Sequence, residues 1–157
     1  MRFAEFAASA VVAAALFAGS QVHAAPVVVG TYYDETISGS CSSQTNCNMF
    51  FAQTPADKMV MVHKLHCRIQ TTQPVRIGGL FISADGSPNA LQRWLPLPLP
   101  NIEYTGPASN TEFNAYFDMT TEWLIGQGRF PFVRASTGTA SNSVISCTLI
   151  GALVDPT

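Results

Sequence analysis

The fold class is decided by residues 58–72, which read KMVMVHKLHCRIQTT. Every second residue from Met59 to Ile69 is apolar, a histidine or a cysteine, whereas the residues between them, from Lys64 onward, are Lys, His, Arg and Gln. A period of two is the period of a β-strand with one buried face. The stretch therefore predicts a long strand whose odd-numbered side chains, Cys67 among them, point into a core.

The last stretch of the chain, residues 143–154, reads SVISCTLIGALV and follows the same rule. Its inward positions are predicted to be Ile145, Cys147, Leu149, Gly151 and Leu153. Two inward cysteines in long strands can meet in the core, while Cys41 and Cys47 are close along the chain. Of the three pairings that four cysteines allow, this favours Cys41 with Cys47 and Cys67 with Cys147.

Short strands separated by turns account for the remainder of the chain after residue 25, where no helical period is sustained. The predicted strands cover residues 27–37, 49–53, 75–84, 91–99, 112–119, 121–125 and 132–136, and residues 38–46 and 101–110 are predicted to be loops. About eight strands without a crossover helix predict an all-β fold, a two-sheet antiparallel sandwich of jelly-roll or Greek-key type. A small barrel is the alternative.

The first 24 residues have the pattern of an export signal. Arg2 precedes an apolar run over residues 6–18, and Val22-His23-Ala24 is a small-x-small cleavage site. The run is shorter than the roughly 20 residues that a membrane-spanning helix needs. We therefore expect cleavage between Ala24 and Ala25, a single domain at residues 25–157 without a transmembrane anchor, and a periplasmic or extracellular location. An even number of cysteines fits such an oxidising compartment.

Composition narrows the range of partners. The chain has a net charge of −2 and only 11% charged residues, against roughly 25% in typical soluble domains. Binding to nucleic acid needs clustered Lys and Arg, and the only lysines are Lys58 and Lys64. Nucleic acid is therefore not an expected partner, and a surface rich in hydroxyl and amide groups is expected instead.

No set of residues predicts catalysis, a metal site or a cofactor. His63 and His66 are three apart in a predicted strand, so they point to opposite faces and cannot share one ion. Serine hydrolases of the α/β type carry a G-x-S-x-G motif, which is absent. Residues 85–89, DGSPN, contain one carboxylate and predict a turn rather than a calcium loop.

Aromatic residues are the remaining candidates for ligand contact. Trp94, Tyr104 and Trp123 can present flat apolar faces to a sugar ring or to a protein. We therefore predict a non-catalytic, exported binding or envelope-associated module, with a glycan or an envelope protein as its partner. Two alternatives stay open. One is a fimbrial-type structural subunit in which a neighbour completes the edge strand at residues 27–33, and the other is a secreted hydrolase.

Two segments of the chain resemble a pattern found in a group of small exported proteins. Residues 54–67, TPADKMVMVHKLHC, and residues 146–154, SCTLIGALV, resemble a pattern in small exported proteobacterial β-sandwich proteins to which no activity is attached. In that pattern a Pro-x-x-Lys turn precedes a strand that ends in Cys, and the chain closes with Cys-Thr-x-x-Gly. The resemblance implies a sandwich and a disulfide between the two strands, and it implies no cofactor or substrate.

Overall fold

The computed structural model describes residues 22–98, 103–105 and 112–156. All regular structure in this part of the chain is β, which confirms the all-β prediction, and none of it is a helix that could cross a membrane. The described residues form nine strands: β1 (Val22–His23), β2 (Val27–Val29), β3 (Tyr32–Phe50), β4 (Met59–Thr71), β5 (Val75–Ser83), β6 (Leu91–Pro96), β7 (Glu103–Thr105), β8 (Glu112–Ile125) and β9 (Phe130–Val154).

The nine strands form one antiparallel sheet built around β3 and β9. In what we call the first half-sheet, residues 143–154 of β9 lie between β3 and β4, and β8 and β7 follow β4. In the second half-sheet, residues 130–137 of β9 lie between the end of β3 and β5, and β6 follows β5. The short strands β1 and β2 pair with the outer edge of β3.

The two half-sheets are joined at a corner where β3 turns back on itself. Cys41 and Cys47 form a disulfide with Cα atoms 5.6 Å apart, although six residues of an extended strand span about 20 Å. Farther along, the Ala52 N–H donates to Glu35 Oε1 over 2.6 Å, across a separation of 17 residues. Register shifts between Cys41 and Asn46 accompany the turn, with Ser43 at a φ of 53°.

Several predicted boundaries were wrong at this corner and elsewhere along the two long strands. The predicted loop at residues 38–46 belongs to β3, because its backbone pairs with β9 up to Cys41, at Gln44 and again from Asn46. The predicted strands at 132–136 and 143–154 are parts of β9, and those at 112–119 and 121–125 are parts of β8. The hydrogen bonds of a ladder join backbone groups and need no apolar side chains. Polar stretches predicted to be loops can therefore remain paired with the neighbouring strand.

One hydrophobic core serves both half-sheets. Its buried members come from β3, β4, β5, β8 and β9 and include Ile37, Leu65, Leu80, Phe117 and Leu149. The inner faces approach closely, since a Cβ on Gly78 of β5 would lie 3.0 Å from Cζ of Phe117 on β8. Residues from both half-sheets therefore contribute to the same buried cluster.

The disulfide between Cys67 and Cys147 clamps β4 to β9 inside this core. The two residues are direct partners in the ladder, with Cα atoms 4.1 Å apart, close to the spacing of about 4.5 Å in a non-hydrogen-bonded antiparallel pair. Both side chains are buried. The predicted pairing of the four cysteines therefore matches the structure.

The predicted inward parity of β4 holds only from Leu65 onward. Before that point Val60 and Val62 are buried, whereas Met59 and Met61, predicted to face inward, are half-buried. The ladder shifts by one residue between Val62 and Lys64. A β-bulge adds an unpaired residue and so exchanges the two faces of the strand.

Candidate functional site

Of the two predicted contact tryptophans, Trp94 on β6 is the more exposed. It is 52% exposed, and it lies directly opposite Phe81 of β5 in the ladder. The two rings stack with centroids 5.4 Å apart and planes inclined by 15°. In the described part of the chain β6 pairs with β5 alone, so Trp94 sits on an edge strand with one side of its indole supported by Phe81.

Trp94 is the open end of a row of four rings across the outer face of the second half-sheet. The ladder places Phe50, Phe132, Phe81 and Trp94 side by side on β3, β9, β5 and β6. Centroid distances along this aromatic row are 4.6, 5.4 and 5.4 Å. Stacked cross-strand aromatic pairs each contribute about 0.5–1.5 kcal/mol beyond the burial of their area. The row therefore holds the indole on a rigid support.

Arg134 covers the buried middle of the aromatic row. Its Cζ lies 5.0 Å from the ring centroid of Phe81 and 5.4 Å from that of Phe132. The guanidinium is fixed by a 2.7 Å hydrogen bond from Nε to Asn48 Oδ1 and another from Nη2 to the Pro88 carbonyl oxygen. Burial lowers the pKa of Arg134, but an arginine stays charged at neutral pH. This cation therefore binds the two phenyl faces and leaves Trp94 as the exposed aromatic surface.

A glycine makes room for the stack. A Cβ on Gly79 would lie 2.6 Å from Cε2 of Phe81 and 3.1 Å from Cε3 of Trp94, so both rings lean over a position without a side chain. Aromatic rings that cover a glycine in a neighbouring strand compensate for its lost packing. The orientation of Trp94 thus depends on Gly79 as well as on Phe81.

Trp123 and Tyr104 are not assembled with Trp94. Trp123 is half-buried against the core, Cζ of Arg93 lies 5.0 Å from its ring centroid, and Nη1 of Arg93 donates to the Leu124 carbonyl oxygen over 3.1 Å. Because neighbours in a strand point to opposite faces, Trp94 faces away from the Arg93–Trp123 contact. The backbone of Tyr104 pairs with Phe113, and its side chain lies outside the described residues.

The histidines singled out by the sequence lie on the surface of the first half-sheet. At the bulge of β4, His63 Nδ1 is 3.0 Å from Glu122 Oε1, and the His63 side chain is partly exposed whereas that of Glu122 is largely exposed. His66 is exposed as well. Across the residues that the structure describes, no three His, Cys, Asp or Glu side chains are grouped so that they could hold a metal ion.

The turn at residues 85–89 uses its carboxylate internally. Asp85 Oδ1 accepts a 2.8 Å hydrogen bond from the Ser87 N–H, and Ser83 Oγ donates to the Ser87 carbonyl oxygen over 2.7 Å. Gly86 adopts a φ of 82°, which glycine tolerates best. Turn chemistry therefore accounts for this segment.

No protein-family model matches the chain. Neither a curated protein nor a solved structure shows significant similarity to it.

Sequence patterns did not reveal the support of Trp94. Phe50, Phe81 and Phe132 are far apart along the chain, and only the ladder brings them together. Gly79 within an apolar strand was the one local signal, since a glycine inside a strand marks a close approach of neighbouring groups.

Proposed function

We propose that the domain is a non-catalytic binding module that binds a glycan of the cell envelope through Trp94. The observation that carries the proposal is the supported, half-exposed indole on an edge strand. Loss of conformational entropy on binding is small for such a side chain because Phe81 and Gly79 already restrict it. The C–H face of a pyranose ring is a flat apolar partner for an indole of this kind.

Surface chemistry favours a neutral polyhydroxylated partner over a charged one. The chain is 11% charged, and on β3 and β9 the outer face of the first half-sheet carries hydroxyl side chains such as Thr36 and Thr148, whose Oγ1 atoms are 2.9 Å apart. Hydroxyl and amide groups both donate and accept hydrogen bonds, as sugar hydroxyls do. These properties support a glycan as the ligand.

Retention on purified peptidoglycan sacculi and binding to a printed glycan array test the proposal. We expect wild-type protein to be retained and Trp94→Ala to lose at least tenfold in retention, because the substitution removes the contact surface. Trp123→Phe is the matched control, since that residue is half-buried beneath Arg93. The chain has two tryptophans, so in Trp123→Phe a change in fluorescence on binding reports on Trp94 alone.

Two results would contradict the proposal. Wild-type protein that binds neither the sacculi nor any glycan on the array would overturn the function. Retention by Trp94→Ala equal to that of wild type would overturn the site. Circular dichroism of each variant shows that it is folded before binding is compared.

A structural or assembly role is the second candidate, and β2 is the observation that favours it. Val27, Val28 and Val29 are 55%, 48% and 70% exposed, so both faces of this strand are open, and in the described chain it pairs with β3 alone. An open apolar edge strand is a template for strand addition by a neighbour.

Sedimentation analysis of the double variant Val27→Lys, Val29→Lys tests this candidate. The assembly role predicts oligomers for wild type and monomers for the variant, whereas Thr120→Lys on an exposed position of β8 should behave as wild type. A wild-type chain that is monomeric at every concentration would contradict it. Substitution is preferable to deletion of residues 25–33, because the deletion would also remove Tyr33, which is buried in the core, and so would change the stability of the fold.

The location and the finer architecture are also proposals. We propose export to the periplasm or the cell exterior after cleavage between Ala24 and Ala25, supported by the signal-like start of the chain and by two disulfides. The corner in β3 and the core shared by both half-sheets support assignment to the sandwich class. N-terminal sequencing of the exported protein tests the cleavage site, and activity on ester, glycoside or peptide substrates would revive the hydrolase alternative.

A further inference from the structure

A cavity lies at the corner of the sheet, lined by residues on other strands than that of Trp94. It has a volume of about 310 Å³ and is bordered by β3, β4, β8 and β9 near the Cys41–Cys47 disulfide. Seven of its ten lining residues are Ser, Thr, Asn or Gln, and one is a glutamate. The volume is at the lower end of the range of roughly 300–1,000 Å³ that small-ligand sites occupy, so a compact ligand fits it.

In this corner pocket an apolar residue lies between two polar residues on the neighbouring strands. Ser40, Val144 and Gln70 are direct neighbours in the ladders of β3, β9 and β4. Cross-strand neighbours lie about 4.5–5.5 Å apart, so the two outer residues of the row are about 9–11 Å apart. Val144 is 48% exposed in the centre of the row. The wall therefore offers apolar contact in its middle and hydrogen-bonding groups at both sides.

The polar groups of the corner pocket are held in place by other hydrogen bonds. Gln70 Nε2 donates to Glu112 Oε2 over 2.6 Å, and Asn142 Oδ1 accepts from the Ser43 N–H over 3.0 Å. Thr72 Oγ1 accepts from the Asn142 N–H over 3.1 Å. The Asn142 NH₂ group is then a donor, and Gln70 Oε1 and the second carboxylate oxygen of Glu112 are acceptors, that these side chains can offer to a ligand.

The chemistry of the lining distinguishes between classes of ligand. An anion would be repelled by Glu112, and an apolar ligand would desolvate hydroxyl and amide groups without replacing their hydrogen bonds. A cation would find a single negative charge in the lining, that of Glu112, whose Oε2 already accepts a hydrogen bond from Gln70. A ring with hydroxyl groups at its edge and C–H groups on its face matches both the polar residues and Val144.

We propose that the corner pocket binds one neutral sugar unit and is a second contact for the glycan that Trp94 is proposed to bind. The choice of a sugar as the ligand rests on that proposed function. The pocket itself is formed by residues on other strands than β6, so loss of one site leaves the other in place. A glycan chain can therefore contact the domain at two independent points.

Amide chemical shifts recorded during titration with glucose, galactose, mannose and N-acetylglucosamine test the inference. We expect at least one of these sugars to shift the signals of Asn142 and Gln70 in wild type. Val144→Lys, which fills the pocket, and Asn142→Ala should each weaken this binding at least tenfold. Thr120→Ala, an exposed position elsewhere on β8, should bind as wild type does.

The same titration on Trp94→Ala separates the two sites. Shifts at Asn142 that persist in Trp94→Ala support the corner pocket even if the sacculi are no longer retained. No shift with any of the four sugars, or shifts unchanged by both Val144→Lys and Asn142→Ala, would overturn the inference. Binding that is lost on adding salt would also overturn it, because contact with a neutral ligand is not screened.

Discussion

Glu35 is a buried carboxylate with two partners. Its Oε2 accepts a 2.7 Å hydrogen bond from the Tyr33 hydroxyl, and its Oε1 accepts from the Ala52 N–H over 2.6 Å. Both residues of the Tyr33–Glu35 pair are almost fully buried. Burial, and then the hydrogen bond and charge of Glu35, raise the pKa of Tyr33 well above its ordinary value of 10.0. The pair ties the start of β3 to the segment that follows its end.

The raised pKa of Tyr33 predicts a loss of stability in alkaline solution. The folded state holds this proton more tightly than the unfolded state, so the contribution is complete below pH 10 and is lost as the pH rises above it. One such group changes the free energy of unfolding by up to about 1.4 kcal/mol per pH unit. Urea titrations above pH 10 should therefore show a shallower pH dependence in Tyr33→Phe than in wild type.

The Tyr33→Phe variant should also be less stable at pH 7, by about 1.5–3 kcal/mol, because it removes a hydrogen bond to a charged group. Tyr116→Phe is the control, since Tyr116 is exposed on β8. Equal alkaline slopes for wild type and Tyr33→Phe would show that this pair does not set the pH dependence.

Gly79 is a second residue whose effect is predicted from geometry. Gly79→Ala would place a methyl group 2.6 Å from a carbon of the Phe81 ring, and overpacking of this kind costs about 1–3 kcal/mol. We expect a lower urea midpoint and an altered near-ultraviolet circular dichroism signal from Trp94. Gly126→Ala is the control, because its new methyl group would have ordinary contact with Arg129, at 3.8 Å. Gly79→Ala with the stability and spectrum of wild type would contradict the observed stack.

At the scale of elements, the two disulfides differ in the length of chain that they close. The Cys67–Cys147 bond joins residues 80 apart, and the Cys41–Cys47 bond joins residues 6 apart. In the chain-entropy model the long loop contributes about 4–5 kcal/mol and the short one about 2. The long bond clamps two strands in the core, whereas the short one closes the corner of β3.

Paired replacements test this difference. We expect Cys67→Ala with Cys147→Ala to lower the free energy of unfolding about twice as much as Cys41→Ala with Cys47→Ala does. Equilibrium unfolding in urea measures both, and a larger loss from the corner pair would mean that the bend in β3, rather than chain entropy, dominates.

The bulge in β4 also restricts which residue the neighbouring strand β9 can carry opposite it. Gly151 of β9 lies opposite Val62, and a Cβ at this position would collide with the Met61 carbonyl oxygen. A backbone atom cannot swing aside as a side chain can, so glycine is required here by close approach rather than by a positive φ. Parity alone predicted that Gly151 faces inward, but not that the opposite strand carries a bulge.

At the scale of the whole molecule, the shared core predicts a single cooperative transition. Both half-sheets contribute buried residues to one cluster, and each carries one tryptophan, Trp94 on β6 and Trp123 on β8. In urea, the fluorescence midpoints of Trp94→Phe and Trp123→Phe should coincide with the midpoints of their own far-ultraviolet circular dichroism curves. Separate fluorescence and circular dichroism transitions in either variant would show that the half-sheets unfold independently.

Part of the candidate site was predictable and part was not. Trp94 was identifiable from the sequence as an aromatic residue in a predicted strand, residues 91–99, and the structure places it on β6, which pairs with β5 alone among the described strands. The half-burial of Trp123 depends on Arg93, which reaches it from another strand. The corner pocket draws on four strands, and no local pattern in Ser40, Gln70 or Asn142 distinguishes a lining residue from a solvated one.

The sequence by itself determined the all-β class and favoured the cysteine pairing that the structure shows, because the period of two that directs Cys67 and Cys147 inward is a property of neighbouring positions. The inward parity of residues 143–154 and of residues 65–69 followed from the same rule. The tertiary structure alone decided the corner in β3, the bulge at His63 and the row of rings beneath Trp94. Each of these depends on which distant strand lies alongside, and pairing of that kind is selected by the energy of the whole sheet rather than by any one segment.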